Sequence, residues 1–381
     1  MTERVVWVWR RNWLPGSETF IRNQVDSLQE WRAVCVGIAK RQSDLARGSD
    51  ILLSKPGVRA RFAWFSLLLF GASRKLAILR RREPPAIIHA HFGGDARGVD
   101  FFAARHRIPL VVTVHGSDIL TARSKPGLAG LLYRFTTRRV LRRAAVVLAL
   151  TEFMRDAVIQ FEPRARVQIH PIGVPAVELA ETGEGYDVLF VGRLEPVKGV
   201  RLVVETAEAL RNAGEEARFA VVGDGSLRLE LERLSREKDL DIDWLGMQPS
   251  DRVLGLMRNS KLLLAPSLTQ SDGRTEAFGM VFLEAASQEI PCVAFESGGI
   301  GEAVVNGETG VLVREGDVSG LIEATRSLLG DDEARRRMGR AGRRRLEQDF
   351  DISYWSGRLE SVYDSLANFP SSSPPTRESH E

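Results

Sequence analysis

The stretch Asp187–Gly199, DVLFVGRLEPVKG, decides the fold. Val188–Val191 is an apolar run without polar alternation, the pattern of a parallel strand covered on both faces. It ends in Gly192-Arg193 and runs into Gly199–Ala213, which has helical spacing. This is a βα unit, and the same grammar recurs on both sides of it. Downstream, strands are predicted at Arg218–Gly223, Ile242–Leu245, Leu262–Pro266, Cys292–Phe295 and Val311–Val313. Helices are predicted at Leu227–Asp239, Asp251–Asn259, Phe278–Gln288 and Val318–Gly330. Upstream, strands are predicted at Arg4–Trp9, Ala33–Gly37, Ile87–His91, Leu110–His115, Ala145–Ala149 and Val167–His170, with helices such as Phe20–Leu28, Gly98–His106 and Leu128–Arg143. Repeated βα units imply right-handed crossovers and a doubly wound sheet. Two such halves give an α/β protein of two Rossmann-like domains, 1–175 and 176–350, joined through the Pro- and Gly-containing segment Val174–Gly185. Ligands of such sheets bind beyond the carboxyl ends of the strands, so the expected site is the cleft between the domains. A docking helix is expected over 351–368 and a disordered tail over 369–381.

Composition narrows the classes. The chain has 381 residues, 44% hydrophobic and 27% charged, with a formal net charge of +3. Residues 1–180 hold 29 Lys/Arg against 14 Asp/Glu, and the remainder 24 against 36, so the small total hides a basic half (+15) and an acidic half (−12). Such asymmetry bears on partners rather than on fold. The two cysteines, Cys35 and Cys292, make no disulfide framework or metal pattern. The start lacks a signal-peptide core, and the run Phe62–Ser73 is too short to span a bilayer. A cytoplasmic protein is expected, with the inner face of the cell membrane as a peripheral location.

Three segments carry chemistry. In GRLEPVKG (Gly192–Gly199) a strand-to-helix turn offers N–H groups and a helix dipole to an anion, and Arg193 and Lys198 add two cations suited to a diphosphate. The alternative is that both are solvated surface charges. Glu276 and Glu284 bracket AFGMVFL; Glu276 is placed in a loop, Gly279 and Met280 at a helix start, and Glu284 on the helix, where ribose hydroxyls would suit its carboxylate. Either glutamate alone would also pass as a surface residue. The third segment is Thr113–Asp118, TVHGSD, at a strand end, with His89 and His91 of HAHFGG ending the preceding strand. The reading sets His89 and His91 on opposite faces of that strand and finds no HExxH-like pattern, so no metal is expected. His91 reads equally as a satisfied strand-end histidine.

Taken together, GRLEPVKG, the paired glutamates, GDGSLR (Gly223–Arg228), SGGIGEAV (Ser297–Val304) and NGETGVLVREGD (Asn306–Asp317) resemble the retaining GT-B glycosyltransferases of the group 1, family 4 type. LPGSETFIRNQV, HAHFGGDA and VHGSDI resemble its exopolysaccharide and colanic-acid branch. The resemblance covers about residues 4–366. It implies a sugar transferred from a UDP- or GDP-sugar to a polysaccharide or lipid-linked glycan, without a cofactor or metal. Arg193 and Lys198 would hold the diphosphate, Glu284 the ribose, and Glu276 would lie near the donor sugar. Gly192, Gly223, Phe278, Gly279, Met280 and Val281 would line the nucleotide-sugar. His115 would approach the reacting sugar, with Asp118 and His91 in support or toward the acceptor. Gly16 and Ser17, in the loop Pro15–Thr19, stand where the wider family has a glycine-rich loop. The chemistry implied is leaving-group stabilisation by cations and helix-end N–H groups. No paired carboxylate nucleophile of the hydrolase kind is evident, so departure and attack on one face of the sugar are implied.

Two rivals belong to other classes. An epimerase on the same fold would consume donor without acceptor, and a non-catalytic glycan binder would not need intact Arg193, Lys198, Glu276 and Glu284. Residues 58–82 interleave Arg59, Arg61, Arg74, Lys75 and Arg80–Arg82 with Phe62, Trp64, Phe65 and leucines, the composition of an interfacial helix. A second basic cluster spans Arg134–Arg143. Contact with anionic membrane through 58–82 is one expectation, and a core helix over Phe62–Phe70 with solvated basic ends is the other. No nucleic-acid recognition motif is present.

Overall fold

The computed structural model describes residues 4–13, 18–40, 45–122, 124–181, 183 and 185–368. Pro15, Gly16, Ser17 and the tail 369–381 lie outside the described residues. The chain divides into two compact units, Met1–Pro175 with Asp351–Glu381, and Ala176–Phe350.

The first unit is built on seven parallel strands: β1 (Val5–Trp13), β2 (Arg32–Lys40), β3 (Ile51–Leu52), β4 (Ile87–His91), β5 (Leu110–Val114), β6 (Val146–Ala149) and β7 (Val167–Ile169). Their order is β3-β2-β1-β4-β5-β6-β7. β1 is central because Val5–Trp9 are buried on both faces. Pairing with β2 continues to Trp13↔Lys40, four residues beyond the predicted end. Three indoles on β1 are buried yet satisfied. Trp7 donates to the Glu83 carbonyl (3.0 Å), Trp9 to the Asp95 carbonyl (3.0 Å) and Trp13 to the Asp50 carboxylate (2.6 Å).

The second unit repeats the scheme with β8 (Val188–Val191), β9 (Phe219–Val222), β10 (Ile242–Gly246), β11 (Leu262–Leu264), β12 (Cys292–Glu296) and β13 (Gly310–Arg314), ordered β10-β9-β8-β11-β12-β13. Strand order therefore reverses beside β1 in one unit and beside β8 in the other. The chain leaves these neighbouring strand ends in opposite directions, which opens a crevice there.

Several expectations are corrected. The helix expected over Gly98–His106 runs over Asp100–Arg105, and a short helix the reading did not foresee, Gly93–Ala96, precedes it. The two-residue β3 and the Arg-rich helix Asp332–Asp349 had no legible pattern. Helix Val58–Phe70 buries only Trp64 and Leu67 among its residues, so it is not a core helix. No single helix among the described residues is long and apolar enough to cross a membrane; the pair Val58–Phe70 and Arg74–Arg82 is bent by 76°.

The terminal helix Ile352–Ala367 groups with the first unit. Asp351 caps it by accepting from the Tyr354 N–H. One Glu360 carboxylate oxygen accepts three successive backbone N–H groups, from Gln29 (2.9 Å), Glu30 (2.7 Å) and Trp31 (2.9 Å). Asp364 accepts from the Trp31 indole (3.1 Å). Replacing Glu360 by Ala strands three N–H groups against a buried surface. Glu360→Ala is expected to lower unfolding stability by about 2–3 kcal/mol; urea titration of the full chain measures it, with Glu360→Gln losing less.

Candidate functional site

The crevice beside β8 collects the residues singled out in the second half. β8 ends at Val191, and the Gly192 N–H donates to the Val222 carbonyl of β9 (3.0 Å). Gly223 follows with φ +135°, and a Cβ there would sit 1.9 Å from the Gly192 oxygen, so the two strand ends meet only because Gly223 has no side chain. The turn Pro196–Lys198 is 3₁₀ and closes at Gly199, whose φ of +65° and contact with the Pro266 carbonyl place it against the chain leaving β11. Lys198 and Arg193 are thereby set at the point where strand order reverses. The Arg193 side chain is exposed and makes no hydrogen bond or ion pair with any described residue. GDGSLR lies at the end of β9, where Ser226 donates to Glu195 (2.9 Å) in the same turn.

Glu276 is in a loop, as its position before Gly279 predicts. Its carbonyl accepts from the Gly299 N–H (2.9 Å), which ties it to SGGIGEAV. Its carboxylate forms an ion pair with the Lys198 ammonium. Burial would raise the Glu276 pKa, but the Lys198 charge and hydrogen bond outweigh it, with Ala277 N–H and Arg193 adding, and the group stays below the usual carboxylate range. Gly279 has φ +88° and opens the helix Met280–Ser287. The N–H groups of Met280 and Val281 in its first turn have no intrahelical acceptor. Phe278 is buried against Phe350, ring centroids 5.5 Å apart. Glu284 is half-buried one turn further on, and its carboxylate has no partner among the described residues. Burial pushes its pKa up to about 7, opposed weakly by Lys198. A carboxyl so poised lacks the hydrogen-bond donors a ligand could supply.

In the first unit the histidines lie at the ends of β4 and β5, with β4 the neighbour of β1 across which strand order reverses. His89 and His91 share one face of β4, with rings stacked 4.5 Å apart. The placement on opposite faces is wrong, because side chains two apart on a strand point the same way. His91 Nδ1 lies 3.1 Å from His115 Nε2. His115 is half-buried between Phe92 (4.3 Å) and Phe20 (5.0 Å). Burial lowers the pKa of all three histidines well below the ordinary value, with His115 and Arg10 adding for His91, and Arg10 and His89 for His115. They are neutral imidazoles near pH 7. Asp118 accepts the backbone N–H groups of Gly93 (2.6 Å) and His115 (3.2 Å). It clamps the two loops together, so its support of His115 runs through the backbone.

The sequence reading missed Arg10, Glu18 and Asp95. Arg10 on β1 forms a forked pair with Glu18 (2.6 and 2.9 Å) and a second pair with Asp95, and its guanidinium lies 4.0 Å over the Phe92 ring. Burial alone would lower its pKa, but the two carboxylates hold it above its ordinary value. The available signal was an arginine continuing an apolar central strand, read as the strand's end. His89 was noticed, but not its bonds to Tyr363 (2.6 Å) and Thr113 (2.7 Å).

The family described as Glycosyl transferases group 1 matches residues 177–345, and Glycosyltransferase Family 4 matches 15–177. A glycogen synthase of Mycobacterium tuberculosis is 30% identical over 292 residues, covering 73% of this chain and 68% of that protein. The putative colanic acid biosynthesis glycosyltransferase WcaL of Escherichia coli is 29% identical over 335 residues, covering 81% and 80%. Among solved structures, Anabaena Alr3699/HepE in complex with UDP superposes with a TM-score of 0.77 at 18% identity, covering 95% of this chain and all of that one. The chain belongs to the group 1 glycosyltransferases and has their GT-B fold of two Rossmann-like domains.

Proposed function

We propose that this glycosyltransferase moves a hexosyl group, with retention, from a UDP- or GDP-sugar to a polysaccharide or lipid-linked glycan. The observation that carries the reading is the Lys198–Glu276 pair beside an unpaired Arg193 at the strand-order reversal of the second unit. A diphosphate there would meet Arg193 directly, and Lys198 would be shared between it and Glu276. The Met280 and Val281 N–H groups would add donors at a helix start. The structures of HepE with UDP, with UDP and glucose, and with UDP-glucose support the donor class, and the similarity to the putative colanic acid biosynthesis glycosyltransferase WcaL supports the acceptor class. In this reading 176–350 holds the donor and 1–175 serves the acceptor, with His115 toward the transferred sugar and 351–368 as a docking helix.

Breaking the sugar–phosphate bond leaves its electron pair on the diphosphate oxygen. Lys198 and Arg193 would stabilise that charge without reorganising, and the reading needs no metal. The acceptor hydroxyl would attack the anomeric carbon from the side of the departing group and pass its proton to the departing oxygen. Glu276, kept ionised by Lys198, would accept hydrogen bonds from sugar hydroxyls, and Glu284 would take those of the ribose.

Two outcomes are expected. Lys198→Ala should lower kcat by roughly 10²–10³-fold while circular dichroism stays native, with Lys198→Arg retaining part of the rate; near wild-type turnover in Lys198→Ala would refute the leaving-group role. Glu284 carries the second. Its folded pKa, about 7, exceeds the ordinary 4.5, so its contribution is greatest below pH 4.5 and is lost as pH rises to about 7. The melting temperature of wild type relative to Glu284→Gln should therefore fall across that window. A difference that is flat with pH would contradict the burial of Glu284.

A further inference from the structure

Two helices of the first unit turn apolar stripes outward. In Val58–Phe70 the stripe is Val58, Phe62, Phe65 and Leu69; in Gly127–Arg143 it is Leu128, Leu131, Leu132 and Phe135. All eight side chains are between 54% and 81% exposed. Their spacing of three and four residues is that of one helix face, here directed away from the sheet. From β3 onward each connection moves the same way across the sheet, so right-handed crossovers put both helices on the same face. Side-chain contacts join them through the segment between. Arg97 lies over Trp64 of the first helix (5.7 Å) and over Tyr133 of the second (4.3 Å). Phe101 packs at Gly71, where the first helix ends, and under Arg139 of the second.

The patch is edged by charge of one sign. The side chains of Arg59, Arg61, Arg74, Arg81 and Arg82 make no ion pair or hydrogen bond with any described residue, and no acid lies between Val58 and Arg82. Folded monomers rarely expose a contiguous apolar patch above a few hundred Å². A second protein chain would leave the unpaired arginines needing acids in matching positions, whereas an anionic lipid surface meets apolar stripes and arginines together. We propose that the outer faces of helices Val58–Phe70 and Gly127–Arg143 form one docking surface for an anionic bilayer. The stripes enter the acyl boundary and the arginines meet the headgroups. The surface thus extends beyond residues 58–82 to the second helix.

The test is co-sedimentation of the full chain with phosphatidylcholine vesicles, with and without phosphatidylglycerol. Binding to the anionic vesicles should be at least ~10-fold tighter, and should weaken at high salt. Phe62→Ser/Phe65→Ser and, separately, Leu131→Ser/Phe135→Ser should each reduce binding, while Arg59→Glu/Arg61→Glu should abolish the preference for anionic lipid. Melting temperatures and donor binding should remain those of wild type. Three outcomes overturn the proposal: binding to neither vesicle, loss only in the 62/65 variant, or stripe variants that convert a dimer to a monomer in sedimentation velocity without changing lipid binding. None of these outcomes bears on transfer through Lys198.

Discussion

The ion pair between Lys198 and Glu276 holds together the candidate site of the second unit. It ties the turn after β8 to the loop before helix Met280–Ser287, across 78 residues of sequence. Both partners are largely withdrawn from solvent, so neither could be left alone without a desolvation cost. Glycines make the pair possible: Gly199 lets its turn approach Pro266, and Gly298 lets its loop approach the Glu276 carbonyl. With Lys198 paired, the side chains of Arg193 and Glu284 are left without a hydrogen-bond or ion-pair partner among the described residues.

The first unit is organised differently, around polar groups buried in its core. Tyr363 of the terminal helix bonds His89, His89 bonds Thr113, and His89 stacks on His91, which meets His115. The terminal helix thus reaches the ring positions at the ends of β4 and β5 through a continuous set of contacts. Its Glu360 and Asp364 hold the turn at Gln29–Trp31. Neutral imidazoles in this setting act through shape and hydrogen bonds rather than through charge.

The doubly wound architecture was legible because parallel strands buried on both faces leave apolar runs such as VLFV at Val188–Val191 and LVVTV at Leu110–Val114. The turn GRLEPVKG and the helix start at Gly279 were legible because glycine and charge mark strand ends. What escaped depends on partners remote in sequence. Arg10 reads as the end of a strand until Glu18 and Asp95 are seen around it. The helix Asp332–Asp349 hides its buried face, Met338 and Leu346, among arginines and small residues. The outward direction of Phe62, Phe65, Leu131 and Phe135 cannot be read from periodicity, which gives a stripe but not which side meets the sheet.

The central claim, that Arg193 and Lys198 hold a diphosphate, is tested most directly by isothermal titration of the wild-type chain with nucleoside diphosphate and nucleoside monophosphate of the same base. The account predicts that the diphosphate binds more tightly, by roughly 10-fold or more, and that Arg193→Ala removes this preference while leaving monophosphate affinity unchanged. Equal affinity for the two nucleotides in the wild-type chain would contradict it.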